Sequence, residues 1–462
     1  MNDLFSRLTA TLPHQVSNAG SEFIHQERHL GWLLLALLGI GATIGAGIFV
    51  MPGRIASLAG PAGIISIAVT SIYFCAVGNR YERFSSFLPT GVSAYSYSYH
   101  TLGELVAWVV GWGLFIEYFM GTAAVAIGFS EYLRTAFTFG LPEFWTGWSK
   151  SGRFGIDIIA VACILTVTTL LVVAGTRKPA WINAVMVVLK LALLTLFIGA
   201  GATSVDSENW RPFLPVGWSG VMQGAALFVF PFVGFDALYT FARESKSLRD
   251  TKIATFVCVI GVAVLYLLVF LVLTGLAPSF SASATGVMIP NSLFSGDESA
   301  APLAKVLIAS GHGFVARMIA IGAVIGLFNV VFVMIQGAPR IFRNMAEDGM
   351  LPQKFEDLKF GIIVTGVICA IFAAVVPFAE ISEMMVLGTL VAFLAVGLGS
   401  LRLPGSTWVD YLSAFVVATC SVVLIFYLNP MVRQVYLVSC PLGLLIYFSY
   451  GYRHSRLRNE SA

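Results

Sequence analysis

Charge is scarce in this chain. Only 11% of its 462 residues are Asp, Glu, Lys or Arg, against about 25% in a soluble domain. That shortage excludes an ordinary water-soluble fold. The formal net charge of +3 is small and argues nothing for a nucleic-acid partner. The six histidines lie in termini, loops or the ends of apolar runs, which excludes a histidine metal cluster and a histidine proton relay. The six cysteines (Cys75, Cys163, Cys258, Cys369, Cys420 and Cys440) contain no CxxC pair and sit in or at the ends of apolar runs. Cysteine there acts as a small hydrophobe, so neither a disulfide nor a metal site is expected. Without a metal set or a nucleophile cluster, no enzyme activity and no cofactor are expected. Residues 1–29 lack the short apolar core and small-residue cleavage site of a signal peptide, so the first apolar run should be retained. The loops are too short for a second folded domain. The longest, Pro278–Pro302, carries Ser, Gly and two acids and reads as external.

What the chain has instead is apolar length. Hydrophobic residues make up 58%, and about 20 in a row suffice to span a bilayer. Twelve such runs are expected, at 30–51, 61–79, 100–133, 155–174, 181–202, 219–241, 254–277, 314–338, 360–378, 383–401, 407–428 and 434–451. The fold class is therefore an all-α polytopic membrane protein. The third run is long enough to need a strong tilt. Most of the 27 Lys and Arg, among them Arg80, Arg83, Arg243, Lys246, Arg249 and Lys252, fall in segments on one side of these runs. Fewer, including Arg54, Arg134, Lys305 and Arg433, fall on the other. Positive charge favours the cytoplasm, so both termini are expected inside, with the protein in the cytoplasmic membrane.

Two runs carry interruptions. In the first, Gly41-Ala42-Thr43-Ile44-Gly45-Ala46-Gly47-Ile48-Phe49 places three glycines within seven residues, each weakening a helix by about 1 kcal/mol against alanine. Irregular backbone at membrane depth is tolerated only where protein buries it or it lines a cavity. Its free N–H groups suit the carboxylate of a small zwitterion and its free C=O groups suit the ammonium. The alternative is a glycine face for close helix packing. In the sixth run, Phe228-Val229-Phe230-Pro231-Phe232-Val233-Gly234-Phe235-Asp236 contains a proline that removes one backbone donor. A simple kink is the alternative there. The breaks fall in runs one and six, which are equivalent positions if two five-helix units follow one another. Paired interruptions of this kind point to a transporter site at the midplane. The chain then divides into an N-terminal segment 1–29, repeats at 30–202 and 219–401, two further helices at 407–451 and a tail at 452–462.

The stretch Gly41 to Gly53 resembles the first-helix signature of the amino acid–polyamine–organocation superfamily, and within it the bacterial cationic-amino-acid-transporter-like members. Further motifs in the same order are Asn183 to Lys190 in run five, Gly234-Phe235-Asp236-Ala237 in run six, Arg340-Ile341-Phe342 through Met345 to Pro352 after run eight, and Gly388 to Phe393 in run ten. The resemblance implies a five-plus-five inverted repeat with helices one and six broken, two C-terminal helices beyond it, and alternating access.

Four polar residues in the apolar runs follow from this reading. Lys190 lies nine residues from Trp181 and twelve from Ala202 in an otherwise uncharged run. A centred lysine costs about 2.5–3.5 kcal/mol to insert, and a buried amine can gain and lose a proton during a cycle. Snorkelling to an interface is the alternative, made hard by its depth. In resembling proton-coupled members a lysine stands where sodium-coupled relatives bind an ion. Gly322–Gly337 in run eight has no serine or threonine to ligate sodium. Glu117 lies midway along run three. The resemblance implies a place near the substrate side chain; a hydrogen bond to a tyrosine or a broken-helix amide is the alternative. Asn329, alone among apolar neighbours, either faces the cavity or bonds across helices. Asp236 is expected to cap or pair rather than touch substrate.

The chain departs from the superfamily pattern at Ala46, where a hydroxyl residue is common. Thr43 would compensate if it faced the pocket. Pro231 is unusual for the unwound part of helix six, and Arg243-Glu244 replaces an acidic pair. The expected function is secondary transport of an amino acid, proton-coupled or exchanging. The substrate carboxylate would sit on the amides of Gly45, Ala46 and Gly47, beside Thr43 and Ile44. Carbonyls around Phe230, Pro231 and Val233, beside Gly234, would hold the ammonium, with Phe230 as an aromatic gate. Lys190 would couple the proton. A polyamine or organic-cation exchanger is the rival within the class; a membrane sensor or channel is the rival outside it. Amino acid, protons and lipid are the expected partners.

Overall fold

The computed structural model describes residues 30–88, 93–137, 140–148, 154–175, 180–240, 245–282, 288–294 and 300–456. The pair Arg243-Glu244 and both terminal segments, 1–29 and 457–462, lie outside the described residues.

Helix dominates, as it must where a bilayer offers the backbone no water. Ten stretches among the described residues are long and apolar enough to cross a membrane. Two shorter apolar helices, Trp32–Thr43 and Ile158–Ala174, stand where runs one and four were expected. The first run is short because it is broken: α1 (Trp32–Thr43) ends, Ile44 to Ala46 are unwound, and α2 (Gly47–Ala59) begins. Gly60, at φ 62, ends α2, and α3 (Gly63–Phe87) starts anew. After the short α4 (Ala94–Thr101) comes α5 (Glu104–Ala136). Its 33 residues extend about 50 Å, well beyond a hydrocarbon core of about 30 Å. Next follow α6 (Ile158–Ala174), α7 (Ala180–Ala202) and α8 (Gly217–Phe232).

The second interruption follows α8. Pro231 sits in its last turn, Val233 to Asp236 form a turn, and α9 (Ala237–Thr240) resumes the helix. Then come α10 (Leu248–Leu276), an antiparallel hairpin of β1 (Phe280–Ala282) and β2 (Met288–Pro290), and α11 (Pro302–Ala309). The long loop thus has structure of its own. The remainder is α12 (Gly313–Met334), α13 (Gly337–Glu347), α14 (Leu358–Val375), α15 (Phe378–Ser400), α16 (Trp408–Tyr427) and α17 (Pro430–Ile446).

Glycine sets one of the tight helix crossings. A Cβ at Gly388 of α15 would strike the carbonyl of Gly113 on α5, and one at Gly113 would approach the Gly388 carbonyl. Two bare backbones therefore touch, as membrane helices do where lipid supplies no hydrophobic drive between them. A different device holds α16. Arg80, read from sequence as a cytoplasmic charge, is fully buried on α3 and pairs with Asp410. Asp410 is also the third residue of a capping box with Thr407. Tyr73 and Asn79 of α3 bond Ser421 and Ser413 of the same helix at 2.8 and 3.0 Å.

Candidate functional site

The two breaks face each other. A Cβ at Gly47 would collide with Pro231 and lie 3.1 Å from the Phe230 ring. A Cβ at Gly234, whose φ is +100, would lie 3.0 Å from the carbonyl of Ala42. Glycine is required at 234 by the backbone angle and at 47 by the approach. The glycines of the first break are therefore an unwound segment and a packing surface together.

The hydrogen bonds of this region come from neighbouring helices. On α7, the Lys190 ammonium donates to the carbonyl of Ile44 at 2.6 Å. Lys190 is buried, and among the described residues no carboxylate pairs with it. Its stem packs over Gly326 of α12, where a Cβ would sit 3.5 Å from the lysine Cγ. Asn329 is buried on that helix three residues on. On α10, the Tyr266 hydroxyl donates to the Pro231 carbonyl at 2.7 Å and lies 3.3 Å from the Thr43 carbonyl. One phenol thus bridges both breaks.

The other predicted residues fall around this centre. The Thr43 hydroxyl turns back to the Gly39 carbonyl at 2.8 Å and towards Cys258, so it does not replace the hydroxyl missing at Ala46. The Gly45 amide bonds the Thr43 carbonyl at 2.6 Å. The first turn of α2, from Gly47, carries amides with no partner inside the helix, as every helix start does, and its end of the dipole favours an anion. On the other break, the Phe230 carbonyl accepts from Val233 at 3.1 Å and the Pro231 carbonyl from Tyr266. Each carbonyl keeps a second lone pair. Phe230 is buried against Gly47.

Glu117 has a different partner from either expected one. It is buried on α5 one turn beyond Gly113, and its carboxylate accepts from Thr389 Oγ1 on α15 at 2.8 Å. The glycine crossing brings these two together. The next turn of α5 carries Gly121, where a Cβ would lie 2.5 Å from Met334 Cε and 3.2 Å from Met385 Sδ. Asp236 lies in the turn just ahead of α9, where the Ala237 amide donates to the Gly234 carbonyl at 3.1 Å.

The profile of the family described as amino acid permease matches residues 30–432. The chain belongs to that family. The superfamily resemblance read from Gly41 to Gly53 and the later motifs holds across the chain, and the family is one of transporters. A branched-chain amino acid permease of Bacillus subtilis (strain 168) is 32% identical, covering 93% of this chain and 94% of its own. A methylthioribose transporter of the same organism is 31% identical over 98% and 99%. The chloroplastic cationic amino acid transporter 9 of Arabidopsis thaliana is 35% identical over 71% of this chain and 57% of its own length.

Reading the sequence missed Tyr266, Gly326 and Thr389. Tyr266 looks in sequence like any aromatic in an apolar run. Gly388-Thr389 carried a signal as a motif, without the contact it makes.

Proposed function

We propose that this permease carries amino acids with apolar side chains across the cytoplasmic membrane, by alternating access and coupled to protons through Lys190. The observation that carries the reading is the 2.6 Å bond from Lys190 to the Ile44 carbonyl, at the break where substrate would bind. A charged ammonium holds that carbonyl; a neutral amine is a weaker donor and releases it. Protonation then favours one arrangement of the first helix against α7, which is the differential contact a coupled transition needs.

The substrate carboxylate binds at the first turn of α2, at Gly45, Ala46 and Gly47. Its ammonium takes free lone pairs of the carbonyls at Phe230, Pro231 and Val233. Its side chain extends towards Gly121, Met334 and Met385. Glu117 is engaged by Thr389, which favours an uncharged side chain over lysine or arginine. Two relatives carry the names branched-chain amino acid permease and methylthioribose transporter, and the methionines packed at Gly121, Met334 and Met385, are side chains that adapt to apolar and thioether groups. The twelve spans form two five-helix repeats, 30–202 and 219–401, with the helices at 407–451 outside them and both termini cytoplasmic.

The test is a thermal-shift panel of purified protein with the twenty amino acids, polyamines and methylthioribose, followed by uptake into proteoliposomes across a pH gradient. A ligand at a hundred times its Kd stabilises by about 2.7 kcal/mol. Selective stabilisation and gradient-driven uptake of leucine, isoleucine, valine or methionine is the expected result. Response to polyamines alone, or uptake indifferent to the gradient, would overturn it.

A further inference from the structure

The connection from α5 to α6 exposes rings that the transport site does not use. Phe144 is 46% exposed, Trp145 38% and Phe154 50%. They form one patch. Phe144 meets Trp145 edge-on with centroids 4.9 Å apart, and Phe154 lies 6.4 Å from Phe144 and 5.8 Å from Trp148. Hydrogen bonds hold this patch in place. The short turn Glu143–Trp145 is closed by the Trp145 amide, which donates to the Pro142 carbonyl at 2.9 Å. The Ile156 amide donates to the Phe144 carbonyl at 2.7 Å, and Thr146 bridges Asp157, the residue that caps α6. The Trp148 indole donates to the Val375 carbonyl, at the end of α14, at 3.0 Å. The loop is thus fixed to α6 and α14 as well as to α5.

Helix length sets its depth. α6 has 17 residues and α14 has 18, or about 25 and 27 Å at the α-helical rise. The hydrocarbon core is about 30 Å thick. Neither helix clears it, so the ends that carry the loop stand at the hydrocarbon boundary. The two helices pack directly, since a Cβ at Gly366 of α14 would strike Thr168 of α6. Backbone near that level needs partners within the protein, and the bonds above meet part of that need. Aromatic rings favour the same level, where headgroups meet acyl chains. Ile158 and Leu165, two turns apart on α6, are exposed as well. They begin the stripe of a spanning helix that a bilayer covers, and continuity with it favours lipid over another chain as the occupant of the patch.

We propose that Phe144, Trp145 and Phe154 form a lipid-seated wedge, an interaction surface whose partner is the headgroup and upper acyl region of one leaflet. Charge bias makes that leaflet the outer one. Seated there, the rings hold the short helices α6 and α14 at a fixed height, against the tilt or thinning that a mismatched bilayer would otherwise impose. This requires only that the chain spans a membrane. It stands apart from Lys190, from the substrate and from proton coupling.

The chain has nine tryptophans, so Trp145 is read as the difference in emission between the unmodified protein and Trp145→Phe. The purified full-length protein is placed in phosphatidylcholine nanodiscs whose acyl chains carry bromine either near the headgroup or near the methyl end, and iodide is added to the water. Bromine near the headgroup should quench the difference emission at least about twofold more than bromine near the methyl end, as for an indole at headgroup level. Iodide should quench it weakly. Strong quenching by iodide with none by bromine would put the loop in water and overturn the proposal. Stronger quenching by the deep bromine would put the ring in the hydrocarbon core and overturn the interfacial seat. Quenching by none of the three would mean that another chain covers the patch, which overturns it too. Phe154→Asp keeps the reporter and sets a charge in the seat. Iodide quenching should then rise and quenching by the shallow bromine should fall; no change in either would overturn the wedge as a unit.

Discussion

Lys190 of α7 and Ile44 of the unwound segment are joined by a 2.6 Å hydrogen bond between residues 146 apart in sequence. The lysine reaches a carbonyl that a continuous helix would have paired with an amide four residues on. The break creates the acceptor, and the buried amine satisfies it.

Replacing Lys190 by alanine should lower pH-gradient-driven accumulation at least about tenfold, a change equivalent to about 1.4 kcal/mol of coupling free energy. Uptake in proteoliposomes with and without an inward proton gradient reads the outcome. Full retention of gradient dependence in the variant would remove Lys190 from the coupling mechanism.

Tyr266→Phe deletes the hydroxyl that serves both breaks and leaves the ring packed. Two buried carbonyls lose a donor, at a cost of about 1–3 kcal/mol. The melting temperature should fall and uptake should fall with it, because the two breaks are no longer held together. Unchanged stability and transport would show that the bridge is dispensable.

Glu117→Gln tests the side-chain pocket. The amide can still accept from Thr389, so uptake of neutral amino acids should stay within about threefold, a difference of less than about 1 kcal/mol. A loss of transport confined to lysine and arginine would instead assign Glu117 to a cationic substrate. Gly388→Ala acts on the same region by a different route. Its methyl meets the Gly113 carbonyl, and overpacking of this kind costs about 1–3 kcal/mol; thermal unfolding in detergent measures it.

Asp410→Ala strands the buried Arg80 guanidinium. Breaking one side of a buried ion pair costs about 3–5 kcal/mol. The double variant Arg80→Met/Asp410→Leu should recover most of that loss. Failure of the second change to restore thermal stability would mean that the Thr407 capping contacts of Asp410, and not the ion pair, hold α16.

The sequence carried the class of protein, because few charges and long apolar runs leave a polypeptide no stable place but a bilayer. It also carried the position of both breaks. Gly41, Gly45 and Gly47 weaken a helix locally, and Pro231 removes a donor locally, so neither effect needs a partner to be read. Lys190 was legible for a related reason: a lone ammonium among apolar neighbours is costly wherever the fold places it. The tertiary structure alone decided what satisfies these groups. Tyr266 is one tyrosine in an apolar run until α10 sets its hydroxyl between two carbonyls on different helices. Glu117 has its partner only because Gly113 and Gly388 let α5 and α15 touch. The same holds for Arg80, which sequence assigned to the cytoplasmic surface and which packing buried against Asp410. Local backbone chemistry is written in neighbouring residues; hydrogen-bond partners hundreds of residues apart are fixed only when helices pack.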